Sequence, residues 1–316
     1  MNGTRDLVYV AGHRGLVGGA IARRIDERGD RDWIGRTRAE LDLTDRPAVF
    51  DFVTTTKPDA IVIAAAKVGG IAANDRFPVE FLTENVLLQS NLLDAAHAAG
   101  VPKVLFLGSS CIYPKMAPQP IQESSMLTGP LEPTNDAYAL AKLAGIRLVD
   151  AYRSEYARQW ISAMPTNLYG PGDNFDLETS HVLPALIRRF HDAKVASARS
   201  VTLWGTGEAL REFLFVDDAA DASIFLLDNY NQAGPINVGF GKDVSIRELA
   251  DVVASIVGFS GTIEWDPSRP NGTPRKILDS SRIHALGWEP KVHLADGIRL
   301  TYEWFLATHE QALAAR

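Results

Sequence analysis

The chain has 316 residues, 46% of them hydrophobic and 22% charged, enough for a large buried core in one α/β domain or in a core domain with a smaller lobe. A net charge of −7 excludes nucleic acid or an anionic membrane as the main partner, since both require a basic face, while leaving room for a local Arg/Lys group that holds a small anion. Cys111 is the single cysteine, so no intrachain disulfide can form. No signal-like apolar region precedes the first strand and no apolar run approaches a membrane span, so the expected location is the cytoplasm.

The first half alternates short β-rich runs with helical patterns, which predicts an α/β fold, a Rossmann-type doubly wound parallel sheet with helices on both faces. Leu7–Ala11 reads as the first strand, and Val17, Ile21 and Ile25 recur at helical spacing until Gly29. Residues 33–35 read as a short second strand, and the apolar run 60–65 as a strand buried on both faces. Pro78 opens a long helix that Gly100 closes, and Lys103–Leu107 is the fourth strand. A helix is predicted over 137–158 and a strand over 160–164.

After about residue 170 the alternation loosens. A loop at 171–174 precedes a helix at 182–190, Ser245 and Glu248 form a capping-box pair opening a helix through Val257, 266–275 is a loop, and a last helix covers 294–313. The expected division is an NADP-binding domain over 1–170, with segments returning from about 212–240, and a mainly substrate-binding lobe over 171–316.

Directly after the first strand comes Gly12-His13-Arg14-Gly15-Leu16-Val17-Gly18, leading into a helix. The first Gly permits the tight turn, the second lets backbone approach a pyrophosphate, the third lets helix and strand pack, and the helix N-terminus supplies free N–H groups. At the end of the second strand an NAD enzyme usually places a carboxylate for the ribose hydroxyls; here stand Gly35-Arg36-Thr37-Arg38. With Arg14, Arg38 suits a 2′-phosphate, which predicts NADPH/NADP as cofactor. Glu40 and Asp42 follow, and Asp42 is read as an alternative contact to adenine.

Tyr138 and Lys142 stand four residues apart, on one helix face. A nearby ammonium and a positive nicotinamide ring are expected to lower the phenol's pKa, so that Tyr138 can exchange a proton with a carbonyl as hydride moves. Ser109, in Gly108-Ser109-Ser110-Cys111-Ile112-Tyr113, follows the fourth strand at the carboxyl end of the sheet, where ligands bind in open α/β folds. Together with the Gly-rich turn these features read as an extended short-chain dehydrogenase/reductase.

Further segments resemble the GDP-L-fucose synthase family over essentially the whole chain: Ala65-Ala66-Lys67-Val68-Gly69-Gly70-Ile71, Ser109-Ser110-Cys111-Ile112-Tyr113-Pro114-Lys115, Leu131-Glu132-Pro133-Thr134-Asn135, and the runs 164–171, 180–190 and 211–218. The resemblance implies NADPH-dependent epimerisation at carbons 3 and 5 and reduction of the 4-keto group of a GDP-sugar in one site. By position Ser109, Tyr138 and Lys142 resemble the reductase triad, and Cys111 and His181 the epimerisation base and acid. Leu107, Gly108, Ser109 and Ser110, then Pro165, Thr166, Asn167 and Leu168, and His181 resemble cofactor-lining residues. Arg189, Trp204, Arg211 and Lys276 resemble the residues that hold the GDP-sugar, and Asn271 stands in the same loop where the family has Asp. A homodimer is implied by the resemblance, and no metal is expected.

Taken singly, these residues have plainer readings: a buried structural Cys111, solvated arginines at 188–189, Trp204 in a core, and Lys67 snorkelling at a strand end. Rival functions are a 4,6-dehydratase, a 4-epimerase or a non-catalytic NADPH-binding regulator. The first would need an acid beside Ser109, where Ser110, Cys111 and Ile112 stand instead. The second would need no Cys/His pair, and an intact Ser/Tyr/Lys set argues against the third.

Overall fold

In the computed structural model, which describes residues 5–269 and 272–314, the first half of the chain runs β1 (Leu7–Ala11), α1 (Leu16–Arg28), β2 (Asp32–Ile34), α2 (Arg46–Thr56), β3 (Ala60–Ile63), α3 (Ile71–Arg76), α4 (Pro78–Ala98), β4 (Lys103–Leu107), α5 (Asp136–Tyr156) and β5 (Ile161–Pro165). The remainder is β6 (Asn167–Tyr169), α6 (Val182–Val195), β7 (Ser200–Trp204), β8 (Leu210–Phe215), α7 (Val216–Asn229), β9 (Pro235–Val238), β10 (Asp243–Ser245), α8 (Ile246–Val257), β11 (Thr262–Asp266), β12 (Arg275–Lys276), α9 (Ser281–Ala285) and α10 (Leu294–Ala314).

Six parallel strands form one sheet in the order β2-β1-β3-β4-β5-β9. The chain leaves β1 on one side to reach β2 and crosses back to β3 on the other, so a crevice opens at the carboxyl ends of β1 and β3. Alternation along β1 sends Val8 and Val10 to the face covered by α1 and α7, and Tyr9 and Ala11 to the face covered by α2, α4 and α5. Both faces are dry, which is why these strands read as continuous apolar runs.

A third core lies outside this sheet, where α6, α8 and α10 enclose Leu186, Phe190, Phe213, Leu249, Val253 and Phe305. Beside it β8 pairs with β6, β10 and β12. The fully buried Glu212 of β8 accepts from the N–H of Gly241 (2.7 Å) and of Leu278 (3.0 Å), so one carboxylate stitches three distant segments together.

Several boundaries move from the sequence expectation. Strand two is one residue earlier, strand three stops at Ile63, and α5 ends at Tyr156 because Ala157 turns left-handed (φ 53°). The helix opened at Val182 continues to Val195. Helix α2 was not anticipated, although Asp45 caps it by accepting from Ala48 N and Pro47 stands in its first turn. The Ser245/Glu248 capping box forms as expected.

Candidate active site

The Gly-rich turn is built for an anion. Gly12 has φ +90°, and a Cβ there would lie 2.7 Å from Ala65 N; at Gly18 a Cβ would lie 2.1 Å from the Gly12 carbonyl oxygen. Those two glycines are dictated by the protein itself. Gly15 is different: a Cβ would meet only the Gly12 carbonyl, at 3.4 Å, so its smallness serves something outside the chain. Helix α1 begins there with no side-chain cap and no acid in its first turn, leaving N–H groups and a positive helix end for a pyrophosphate. His13 presents a buried, unpartnered Nδ1 beside this turn, over Gly35, with its imidazolium disfavoured by desolvation and by the charge of Arg14.

Arg14 is exposed at the turn, and Arg38 is 74% exposed with only long ion pairs to Asp42 (3.8 Å) and Glu84 (3.6 Å). The two acids that follow are engaged elsewhere. Glu40 folds back to accept from Thr37 N (2.7 Å), and Asp42 accepts from the N–H (2.9 Å) and hydroxyl (2.8 Å) of Thr44. Each carboxylate is thus anchored to its own loop through one of its oxygens. The residues present fit a nicotinamide dinucleotide carrying a 2′-phosphate.

Farther along the sheet, β4 and α5 bring together the candidate proton-transfer residues. Gly145 lets α5 sit close on β4, since a Cβ there would lie 2.4 Å from the Phe106 ring. One turn earlier Lys142, only 3% exposed, donates to the Leu107 carbonyl (2.8 Å) and lies 5.9 Å from the centre of the Tyr138 ring. Desolvation lowers its ammonium to about 8. Ser109 interacts with the Tyr138 hydroxyl, and its Oγ accepts from Cys111 N at 3.3 Å. The phenol of Tyr138 is pushed up, first by burial and then by the nearby Cys111, with Ser109 pulling weakly the other way. In the chain alone burial dominates; the expected lowering depends on Lys142 acting together with the nicotinamide ring of a bound cofactor.

Cys111 lies beside this group, partly buried. Asn135 Nδ2 is 3.4 Å from its Sγ, and Lys276 Nζ, from β12 on the opposite wall, is 3.9 Å away. His181 stands at the start of α6, reachable by solvent yet crowded. Desolvation and then the Lys276 charge keep its imidazolium below the usual range. Lys276 therefore faces both Cys111 and His181. Two of these neighbours were not read from sequence as partners of the cysteine: Asn135, quoted only as part of a segment, and Lys276, read only as a substrate contact.

The other expected residues border this region. Leu107 is buried, Ser110 is 3% exposed, and a Cβ at Gly108 would lie 2.4 Å from Met164. Thr166 N donates to Val238 O, Asn167 Nδ2 donates to Glu212 O (2.7 Å), and Leu168 packs against the sheet's core, so the segment from Pro165 onward is held between the two sheets. Arg211 sits desolvated near Glu132, its guanidinium against Gly272 in the loop that contains position 271. Asn271 itself lies outside the described residues. Trp204 is 60% exposed, with the Arg269 guanidinium 5.1 Å from its ring, so it is no core residue. Arg188 is tied to Asp192 (2.7 Å), whereas Arg189 has no carboxylate partner among the described residues. Lys67 is held by Glu80 and Glu84 and does not simply snorkel.

No helix among the described residues is long and apolar enough to cross a membrane. The model of the NAD dependent epimerase/dehydratase family matches residues 8–239, from β1 through β9. GDP-L-fucose synthase 1 of Arabidopsis thaliana is 56% identical over 95% of this chain and 93% of its own length. GDP-L-fucose synthase of Escherichia coli (strain K12) is 49% identical over 98% and 99%. A crystal structure of a GDP-L-fucose synthetase from Naegleria fowleri bound to NADP superposes with a TM-score of 0.90 at 27% identity, covering 98% of this chain and 96% of that one. With sequence, fold and the glycine-rich crevice in agreement, the chain belongs to the NAD dependent epimerase/dehydratase family, alongside the GDP-L-fucose synthases.

Proposed function

We propose that this chain is a GDP-L-fucose synthase, which epimerises carbons 3 and 5 of GDP-4-keto-6-deoxy-D-mannose and reduces the 4-keto group with NADPH to give GDP-L-fucose. The observation that carries the reading is a second proton-transfer group, Cys111 with Lys276 and Asn135, beside the Ser109/Tyr138/Lys142 group. A reductase that left the ring carbons alone would need only the latter. The relatives named as GDP-L-fucose synthases support the substrate class.

In this reading Cys111 removes a proton beside the ketone, and the electron pair passes to the 4-keto oxygen, which Ser109 and Tyr138 face. His181 returns a proton to the opposite face; the substrate's diphosphate supplies the negative charge that lets its otherwise disfavoured imidazolium form. NADPH, when bound, supplies the hydride to carbon 4. Tyr138 gives its phenolic proton to the oxygen as charge develops there, and Lys142 holds the nicotinamide ribose and favours the phenolate left behind. Arg189, Arg211 and Trp204 hold the diphosphate and the base, as forked cations and a flat indole suit them.

Residues 1–170 with the returning 212–240 segment carry the cofactor, and the remainder mainly carries the sugar nucleotide. The outward apolar side chains of α4 and α5, Val79, Leu82, Leu87 and Leu140, support a homodimer packed through these helices. A cytoplasmic setting fits a cysteine that must stay reduced to act as base.

The test is the reaction in deuterium oxide with a panel of 4-keto sugar nucleotides. The native chain should oxidise NADPH with the GDP-sugar and label its product at carbons 3 and 5. Cys111→Ser, whose hydroxyl is a far weaker base, should bind NADPH yet release an unlabelled, unepimerised 6-deoxy sugar. Normal labelling by Cys111→Ser would place the base elsewhere.

A further inference from the structure

Asn135 stands at the N-cap of α5, a position where an Asn side chain ordinarily accepts from the second or third N–H of the helix. It makes no such bond. Its amide turns to Cys111 instead, with Nδ2 3.4 Å from Sγ, while Oδ1 is buried without a partner. An Asn retained for the helix would satisfy its acceptor; one whose side-chain bond goes to a sulfur is placed for that sulfur. The short helical turn Pro133–Asn135 that presents it is preceded by Glu132, which accepts from Thr273 (3.2 Å) and pairs with Lys115 (3.0 Å). Thr273 lies three residues before Lys276, so Glu132 fastens the turn carrying Asn135 to the strand carrying Lys276, with Cys111 between them.

We propose that Asn135 is a further catalytic residue of the epimerisation, donating its amide N–H to Cys111 Sγ and, with Lys276, stabilising the sulfur as an anion ready to take the ring proton. This rests on the reading of Cys111 as the base. The thiolate forms an S–H bond as the ring C–H bond breaks, the carbon's electron pair moves into the ketone, and the amide neither gains nor loses a proton. An amide donor suits a thiolate, since a neutral thiol sulfur is only a weak acceptor. The charged or titratable groups around the sulfur are Lys276 and Arg275 from β12, Tyr138 and Lys142 from α5, and the Lys115–Glu132 pair lining the same cavity, all of which the test variants keep.

Because Cys111 is the only cysteine, alkylation by iodoacetamide reports on it alone, and its rate against pH gives the thiolate midpoint without any sugar present. Asn135→Asp replaces a donor by a like charge and should raise that midpoint by about one pH unit or more, slowing alkylation at neutral pH about tenfold. Asn135→Ala should move it in the same direction by less. Deuterium uptake at carbons 3 and 5 should fall as the midpoint rises, while NADPH affinity stays native and shows the variants to be folded. An unchanged alkylation profile in both variants overturns the proposal. Normal deuterium uptake by Cys111→Ser would overturn the role of Cys111 itself, and the sugar-free alkylation profile keeps the two failures apart.

Discussion

Lys142 has a single hydrogen bond, to the Leu107 carbonyl, and its ammonium otherwise faces the rings of Phe106 (4.8 Å) and Tyr138 (5.9 Å). Burial lowers it from an ordinary 10.5 to about 8. Between those values the unfolded chain holds a proton that the folded chain has released, so this group makes stability rise with pH across that window. The full lowering corresponds to about 3 kcal/mol, of which about 2 kcal/mol falls between roughly pH 7.5 and pH 10. Lys142→Met keeps an unbranched side chain and removes the titration. In urea titrations without cofactor, the stability of the native chain relative to the Met variant should therefore rise by about 2 kcal/mol over that range. Taking the difference cancels the buried phenols of Tyr9, Tyr113 and Tyr169, which titrate equally in both proteins. At neutral pH the Met variant should also lose the thermal protection that NADP gives the native chain. A difference that stays flat with pH would refute the desolvated ammonium.

Two further outcomes follow from the same crevice. Arg14 and Arg38 flank the expected 2′-phosphate while Glu40 and Asp42 are engaged locally, so kcat/KM should favour NADPH over NADH by at least about tenfold, roughly 1.4 kcal/mol, and Arg14→Ala with Arg38→Ala should erase most of that preference; equal efficiency of the native chain with both cofactors would sink this reading. Tyr138→Phe should abolish reduction while leaving NADPH affinity within a few-fold in a fluorescence titration, because the phenol acts on charge that develops at the carbonyl oxygen; near-native turnover would move the proton donor elsewhere.

The cofactor half of the site was legible in the sequence because its logic is local. Gly12, Gly15 and Gly18 fall within seven consecutive residues at the start of one helix, and backbone geometry alone dictates where small residues must stand. Tyr138 and Lys142 share a helix face by periodicity, and strands β1 and β4 declare themselves as apolar runs because helices cover both sides. The substrate half was legible only by resemblance. Its residues come from six separate segments, and no spacing rule relates Cys111 to a lysine 165 positions later.

Composition and pattern thus settled the fold class, and they placed the glycine-rich turn and the candidate Tyr138/Lys142 pair, since each depends on contacts within one or two elements. Tertiary structure alone decided the rest. It placed Lys276 and Asn135 on Cys111, turned Trp204 to solvent, and desolvated the phenol of Tyr138. Each of these turns on which distant groups exclude water or supply a partner. Burial and pairing of that kind arise where β12, paired with β8, brings Lys276 to the residues that follow β4, and nothing in the neighbouring residues of the chain encodes them.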